Sequence, residues 1–94
     1  MTAGGSTKYE LRVAGPAARR LDRLPDKVAA AIVEFMLGAL LDDPHRVGGA
    51  LRRELAGLHS ARRGAYRIVY EIDEQASTVT VLRIDHRSTV YRPR

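Results

Sequence analysis

The chain has 94 residues, 45% of them hydrophobic and 29% charged, a composition typical of one ordinary globular domain and not of a disordered chain. It contains no cysteine, which excludes disulfides and thiolate metal sites, and no apolar run reaches the ~18 residues of a membrane span. No signal-peptide pattern follows the small, polar residues Met1 to Thr7. We therefore expect a flexible tail over residues 1–7, a single domain over residues 8–94 and a cytoplasmic location.

Positive charge is concentrated in the second half of the chain. The formal net charge is +5, and the sequence pI is about 10.2. Residues 1–47 hold seven Lys and Arg against six Asp and Glu, whereas residues 48–94 hold nine against five. Fourteen of the sixteen cations are arginines, whose planar guanidinium group suits phosphate. This favours a nucleic acid or an acidic protein as partner, with biased base composition as the alternative explanation.

The first half of the chain predicts one strand and two helices. Residues Lys8 to Val13 alternate between polar and apolar, which is typical of a half-buried strand. Ala17 to Arg23 repeats apolar residues at helical spacing. Lys27 to Leu41 has a broad apolar stripe and is the strongest helical pattern, although Gly38 is a weak point in it. Asp43 precedes Pro44 and should end this helix, because the residue before a proline avoids the α region.

The second half predicts three strands, at Leu58 to Arg62, Ala65 to Asp73 and Thr78 to Asp85, the last two joined by a tight polar turn. Strict alternation assigns the side chains of the last two strands to faces. In the first of these two strands, one face carries Tyr66, Ile68, Tyr70 and Ile72, and the other carries Arg67, Val69 and Glu71. In the last strand, one face carries Leu82 and Ile84, and the other carries Val79, Val81, Arg83 and Asp85.

These elements predict an α+β domain: an N-terminal strand, two helices, and a three-stranded antiparallel meander with the helices packed on one face of the sheet. If the apolar faces of the last two strands meet the helices, then Arg67, Arg83 and Arg87 converge on the uncovered face. Each of these arginines has two interpretations. It is a surface residue, paired in the case of Arg67 with Glu71 or Asp85, or it is a phosphate clamp that stabilises negative charge in a transition state.

Two further residues near the end of the chain could carry chemistry. Tyr91 is either a packed aromatic residue or a general acid or base, or a platform for a nucleobase. His86 is either a hydrogen-bonding residue at a strand end or a titrating group. The three histidines lack metal-ligand spacing, and there is no phosphate-binding loop or nucleophile elbow, so we expect no metal and no cofactor. Metal-free phosphoryl chemistry with the RNA 2′-hydroxyl as nucleophile, or binding alone, remains.

Five motifs together resemble the RelE family of bacterial toxins within the RelE/ParE superfamily, over roughly residues 8 to 92. The resemblance implies a RelE-like fold and a ribosome-dependent mRNA endoribonuclease that inhibits translation and cell growth. It also implies a cognate antitoxin in a hetero-oligomeric complex that binds DNA through the antitoxin, and no membrane partner. The motifs are Leu21-x-x-Leu24-Pro25, Asp43-Pro44-His45, Leu51-x-x-x-Leu55-x-x-Leu58, Gly64-Ala65-Tyr66-Arg67-Ile68-Val69-Tyr70 and His86-Arg87-x-x-x-Tyr91.

By this resemblance, Arg67 and Arg87 match active-site arginines, Tyr91 matches a catalytic tyrosine, and His86 matches a position that is often histidine. Some relatives place lysines on the strand before Tyr66. That strand has none here, and Arg62 is the nearest replacement. Two alternatives stay open: a ParE-like toxin that inhibits gyrase, and a nucleic-acid-binding module without catalysis. Phosphate contacts are assigned to Arg52, Arg53, Arg62, Arg63 and Arg83.

Overall fold

The computed structural model of the chain describes residues 9–52 and 55–87 and confirms an α+β fold built on one five-stranded sheet. The strand order in the sheet is β1-β5-β4-β3-β2. The strands are β1 (Glu10–Val13), β2 (Gly49–Ala50), β3 (Leu58–Arg63), β4 (Tyr66–Asp73) and β5 (Thr78–His86). The helices are α1 (Gly15–Arg23), α2 (Asp26–Leu37), α3 (Ala39–Asp42) and α4 (Pro44–Val47). The tail predicted over residues 1–7 lies outside the described residues.

The predicted meander is present, and it is extended by one strand at each side. β3, β4 and β5 pair antiparallel in chain order, whereas β1 pairs with β5 in parallel, with Leu11 beside Val79. The two-residue β2 pairs with β3 at Ser60 and His59, and the sequence pattern carries no signal for it. Because a parallel pair needs a long crossover, the helices lie between β1 and the meander in the chain. β5 is therefore an interior strand.

The helix predicted from Lys27 to Leu41 is wrong in its extent. α2 ends at Leu37, Gly38 takes φ −105° and ψ −95°, and α3 begins at Ala39. Glycine accepts this non-helical backbone easily because it lacks a Cβ. The break redirects the chain so that Leu40 and Leu41 are both buried in the core. Asp42 ends α3 next to the predicted stop at Asp43-Pro44.

The core lies between the helices and one face of the sheet, as predicted. The buried residues that the helices contribute to it are Ala17, Ile32, Phe35, Met36, Leu40 and Leu41. The sheet contributes Ala61, Ile68, Tyr70, Val79, Val81 and Ile84. β1 packs Leu11 and Val13 against this cluster, which confirms the alternation predicted for that strand. We call the other side of the sheet the open face; on it lie Ser60, Arg62, Arg67, Val69, Arg83 and Asp85.

A β-bulge corrects the predicted faces of β5. Val69 of β4 stands opposite Arg83, but the next residue, Tyr70, stands opposite Val81, so Leu82 is an extra residue. Val79 and Val81 consequently share the core face with Ile84, and the prediction that they lie with Arg83 is wrong. Strict alternation fails here because the bulge shifts the period by one residue. Arg83 and Asp85, which follow the bulge, lie on the open face as expected.

Candidate nucleic-acid interface

A row of charged side chains crosses the open face. In the sheet register Arg62 of β3 is opposite Arg67 of β4, which is opposite Asp85 of β5. The residue adjacent to each of them along its strand points into the core, so these three point away from the helices. Two like charges directly opposite each other are destabilising in a sheet.

Asp85 holds a third arginine, Arg83, in place on the same face. The Arg83 side chain donates through Nε and Nη2 to Oδ2 of Asp85, at 3.1 Å and 2.6 Å. The Asp85 side chain is 19% exposed and that of Arg83 is 62% exposed. The carboxylate thus orients the Arg83 guanidinium while leaving most of it accessible to solvent. The sequence analysis gives Asp85 as one of two candidate partners of Arg67. It does not predict the ion pair between Asp85 and Arg83, although side chains two residues apart on a strand share a face.

Arg67 and Arg87 occupy the same end of the sheet. Arg67 is half-buried, whereas Arg87 is exposed. The Arg87 backbone N–H donates to the carbonyl of Ala65 at 2.7 Å, so the ladder between β4 and β5 continues one residue beyond β5. Arg87 is thereby fixed beside the residue that precedes β4, two positions from Arg67. The predicted proximity of these arginines along the sheet is compatible with this register.

His86 lies on the other side of the sheet. It is opposite Tyr66 in the register, and the two rings meet edge to face with centroids 5.1 Å apart. Tyr66 packs against the core, so this pair is on the side covered by the helices. Arg67 and Asp85, the next residues along the two strands, are on the open face. The structure therefore does not bring His86 to the open-face arginines Arg62, Arg67 and Arg83, which we call the arginine row.

The remaining predicted phosphate contacts are dispersed. The guanidinium carbon of Arg63 lies 4.6 Å from the centroid of the Phe35 ring, a cation–π contact on the helix side. Arg52 is exposed just after β2. Arg53 and Tyr91 lie outside the described residues. Of the predicted side chains, Arg62, Arg67 and Arg83 thus share the open face.

A hydrogen-bonded cluster occupies the opposite end of β4 and β5, ~20 Å from the arginine row by the rise of the strands. The Tyr9 hydroxyl donates to Oε1 of Glu74 at 3.0 Å, and His45 Nε2 is hydrogen-bonded to Oε2 of the same carboxylate. These bonds lower the pKa of Glu74, with His45 as the larger cause and Tyr9 as the next. His59 stacks on Tyr70, and burial lowers its pKa. This cluster ties α4 to the turn between β4 and β5.

Within residues 9–52 and 55–87, no three His, Asp or Glu side chains are grouped closely enough to hold a metal ion. No helix in the same residues is long and apolar enough to span a bilayer.

A family model described as the ParE toxin of type II toxin–antitoxin systems (parDE) matches residues 11–91. The chain belongs to this ParE toxin family. Among curated relatives, it is 54% identical to Toxin RelE of Mycobacterium tuberculosis over 84 residues, which are 89% of this chain and 87% of that protein. It is 52% identical to Toxin RelG of the same organism over 84 residues, which are 89% of this chain and 97% of that one.

A solved structure agrees with these relatives. The chain superposes on the toxin–antitoxin complex RelBE2 of M. tuberculosis with a TM-score of 0.82 and 52% sequence identity. The match covers 85% of this chain and 99% of that one. The expected RelE-like fold is thus confirmed for a member of the ParE toxin family.

Proposed function

We propose that this member of the ParE toxin family is the toxin of a type II toxin–antitoxin pair and cleaves mRNA on the ribosome. The observation that carries the proposal is the Arg62–Arg67 pair on the open face, with Arg83 held nearby by Asp85. Relatives at 54% and 52% identity are named RelE and RelG toxins, which supports the nuclease over other activities of the superfamily.

The proposed chemistry needs no metal ion. The RNA 2′-hydroxyl loses its proton and attacks the adjacent phosphorus, the bond to the 5′-oxygen breaks, and that oxygen takes up a proton. Negative charge grows on the non-bridging oxygens as the pentavalent phosphate forms. The guanidinium groups of Arg62 and Arg67 would contact those oxygens, where fixed donors are most effective. Arg87 would contact the same strand from the end of the sheet; by the resemblance it is a further active-site arginine, and Tyr91 is a catalytic tyrosine.

Oriented arginines suit this role for an electrostatic reason. An arginine stays protonated at all relevant pH values, so it stabilises charge without transferring protons. Its planar fork can place two N–H groups on one phosphate. Arg67 is half-buried, and a donor that is partly removed from water interacts more strongly with a developing charge than an exposed one. Arg67 is therefore the residue for which we expect the largest loss of activity.

We infer that the chain binds a cognate antitoxin in the cytoplasm. The similar structure from M. tuberculosis is a complex of a toxin with its antitoxin. An antitoxin that neutralises this chain would cover the arginine row with acidic or apolar residues, and it would thereby block the access of RNA to this face. Binding of the hetero-oligomeric complex to DNA would come through the antitoxin.

A second candidate function is inhibition of DNA gyrase, which the ParE description of the matching family model favours. One experiment separates the two. The chain and its Arg67→Ala variant are induced in cells, mRNA 5′ ends are mapped, and chromosomal breaks are counted. Cuts within ribosome-occupied codons that vanish in the variant support the nuclease. Intact mRNA together with double-strand DNA breaks would contradict the nuclease and support inhibition of gyrase.

A further inference from the structure

α1 presents a second face that the core does not use. Its apolar side, Ala17 and Leu21, packs into or against the core together with Leu24 just beyond the helix. The adjacent side carries three arginines at positions 19, 20 and 23, which have the i, i+1, i+4 spacing of a single helix face. Arg20 and Arg23 lie in the last turn, where a cation complements the helix dipole, and Arg19 adds a third cation to the same face.

This basic face lies along an edge of the sheet. β1 ends its pairing at Val13 opposite Val81, and the Ala14 N–H makes the last hydrogen bond, to the Val81 carbonyl at 2.8 Å. Beyond that point β1 no longer covers the side of β5. α1 follows directly and packs along β5. Arg83 and Asp85 of β5 therefore come close to the arginines of α1.

The two elements enclose a cleft of about 300 Å³, whose charged lining is Arg19, Arg20, Arg23, Arg83 and Asp85. This volume is at the lower end of the range for small-ligand sites, about 300–1,000 Å³. Four guanidinium groups face one carboxylate, which is already bonded to Arg83. Within residues 9–52 and 55–87, no carboxylate lies within ion-pair distance of the three α1 arginines. The cleft thus has an excess of oriented positive charge.

The backbone at the start of α1 makes room for one of these groups. A Cβ at Gly15 would lie 3.2 Å from Nη1 of Arg19. The Arg19 side chain consequently folds back over the first turn of the helix, where a larger residue at position 15 would crowd it.

We propose that this cleft binds a backbone phosphate of the same RNA strand whose scissile phosphate lies at Arg62 and Arg67. The inference rests on the proposed function and adds a second phosphate site to it. Arg83 connects the two sites, because it lies on the open face beside Val69 and also lines the cleft. An RNA strand that leaves the arginine row across β5 reaches the α1 arginines next. Arginine forks bind phosphate well, and a continuous basic track suits a polyanion better than a single acidic side chain.

The test compares two arginines that each lie in the last turn of a helix. Arg23→Ala removes one cation from the cleft, and Arg46→Ala removes one exposed cation from α4 at the far end of the sheet. The probe is a short single-stranded RNA with 2′-O-methyl groups throughout, which cannot be cleaved. Its binding is measured by fluorescence anisotropy over a series of salt concentrations. For single strands the logarithmic salt slope falls by about 0.7 for each phosphate that the protein no longer neutralises.

We expect Arg23→Ala to reduce the slope by about 0.7 and to weaken binding several-fold at low salt, with Arg46→Ala like the wild type. Equal salt slopes in the two variants would contradict phosphate binding in the cleft. So would an Arg23→Ala variant that binds RNA normally and binds the antitoxin weakly, since the cleft would then serve a protein. Ribosomal cleavage by the wild type is measured in parallel. If the wild type does not cleave mRNA on the ribosome, the proposed nuclease is contradicted. Normal cleavage together with unchanged salt slopes contradicts only phosphate binding in the cleft.

Discussion

Arg63 and Phe35 form a cation–π contact, with the guanidinium carbon 4.6 Å from the ring centroid, on the side of the sheet that the helices cover. Its neighbour Arg62 points to the open face, opposite Arg67. Two consecutive arginines of β3 therefore carry the same charge into different surroundings. This makes Arg63 an internal control for the arginine row.

We expect Arg67→Ala to lower the rate of mRNA cleavage on purified ribosomes by about 100-fold or more, the usual effect of removing one donor to a transition-state oxyanion. Arg63→Ala should keep the cleavage rate and lose about 0.5–1 kcal/mol in the free energy of unfolding, because only its interaction with Phe35 is removed. Circular dichroism checks that both variants fold. A fully active Arg67→Ala, or an inactive and folded Arg63→Ala, would place the site on the wrong face.

Substitution by alanine should have very different effects on stability at Gly48 and at Gly49. A Cβ at Gly48 would lie 2.5 Å from the backbone oxygen of Ser60 and would also run into the hydroxyl of Tyr70. Gly49 has nothing within 4 Å of that position. We expect Gly48→Ala to lower the free energy of unfolding by about 1–3 kcal/mol, as overpacking does. Gly49→Ala should change it little. Urea unfolding of the two variants measures both, and similar midpoints would contradict the close approach.

Tyr70 should make the fold sensitive to alkaline pH. Its hydroxyl donates to the Pro44 carbonyl at 2.6 Å, and burial raises its pKa from 10.0 to about 12. Below pH 10.0 the hydroxyl is protonated in both states, whereas between pH 10.0 and about 12 only the unfolded chain loses the proton. The free energy of unfolding should therefore fall over this window.

Tyr70→Phe is the control for that pH dependence. It leaves the Pro44 carbonyl without its donor, which costs about 1–3 kcal/mol at neutral pH, and it removes the titrating group. The difference between the wild type and Tyr70→Phe should shrink as the pH rises above 10.0. A constant difference across that pH would show that Tyr70 does not titrate differently in the folded chain.

Glu74 should contribute stability that is lost in acid. Hydrogen bonds from His45 and Tyr9 lower its folded-state pKa below the ordinary value of 4.5. The contribution is complete above the unfolded pKa and disappears as the pH falls through the folded pKa. Glu74→Gln should therefore flatten the acid limb of the stability curve. Glu71→Gln, an exposed change on β4, serves as the control, and equal effects of the two would contradict the role of the cluster.

Local patterns were sufficient for β4, because its apolar and polar residues alternate and Arg67 interrupts only the open face. They were insufficient for β5, where the extra residue Leu82 arises from pairing with β4 and has no signature in one strand alone. The sequence shows Gly38 as a weak point in the predicted helix. Whether a glycine interrupts a helix depends on how the leucines that follow it are buried in the core. The α1 cleft depends on where β1 ends, which is a property of the sheet and not of any motif.

The interior position of β5 has a consequence for synthesis. This strand follows every other described element in the chain, yet in the sheet it lies between β1 and β4. Until β5 leaves the ribosome, β1 has no strand to pair with. The sheet face on which the helices pack is also incomplete until then. The long-range pairing of β1 with β5 is thus a late step, because it cannot begin before β5 is made. A transcript truncated ahead of this strand should encode a harmless product.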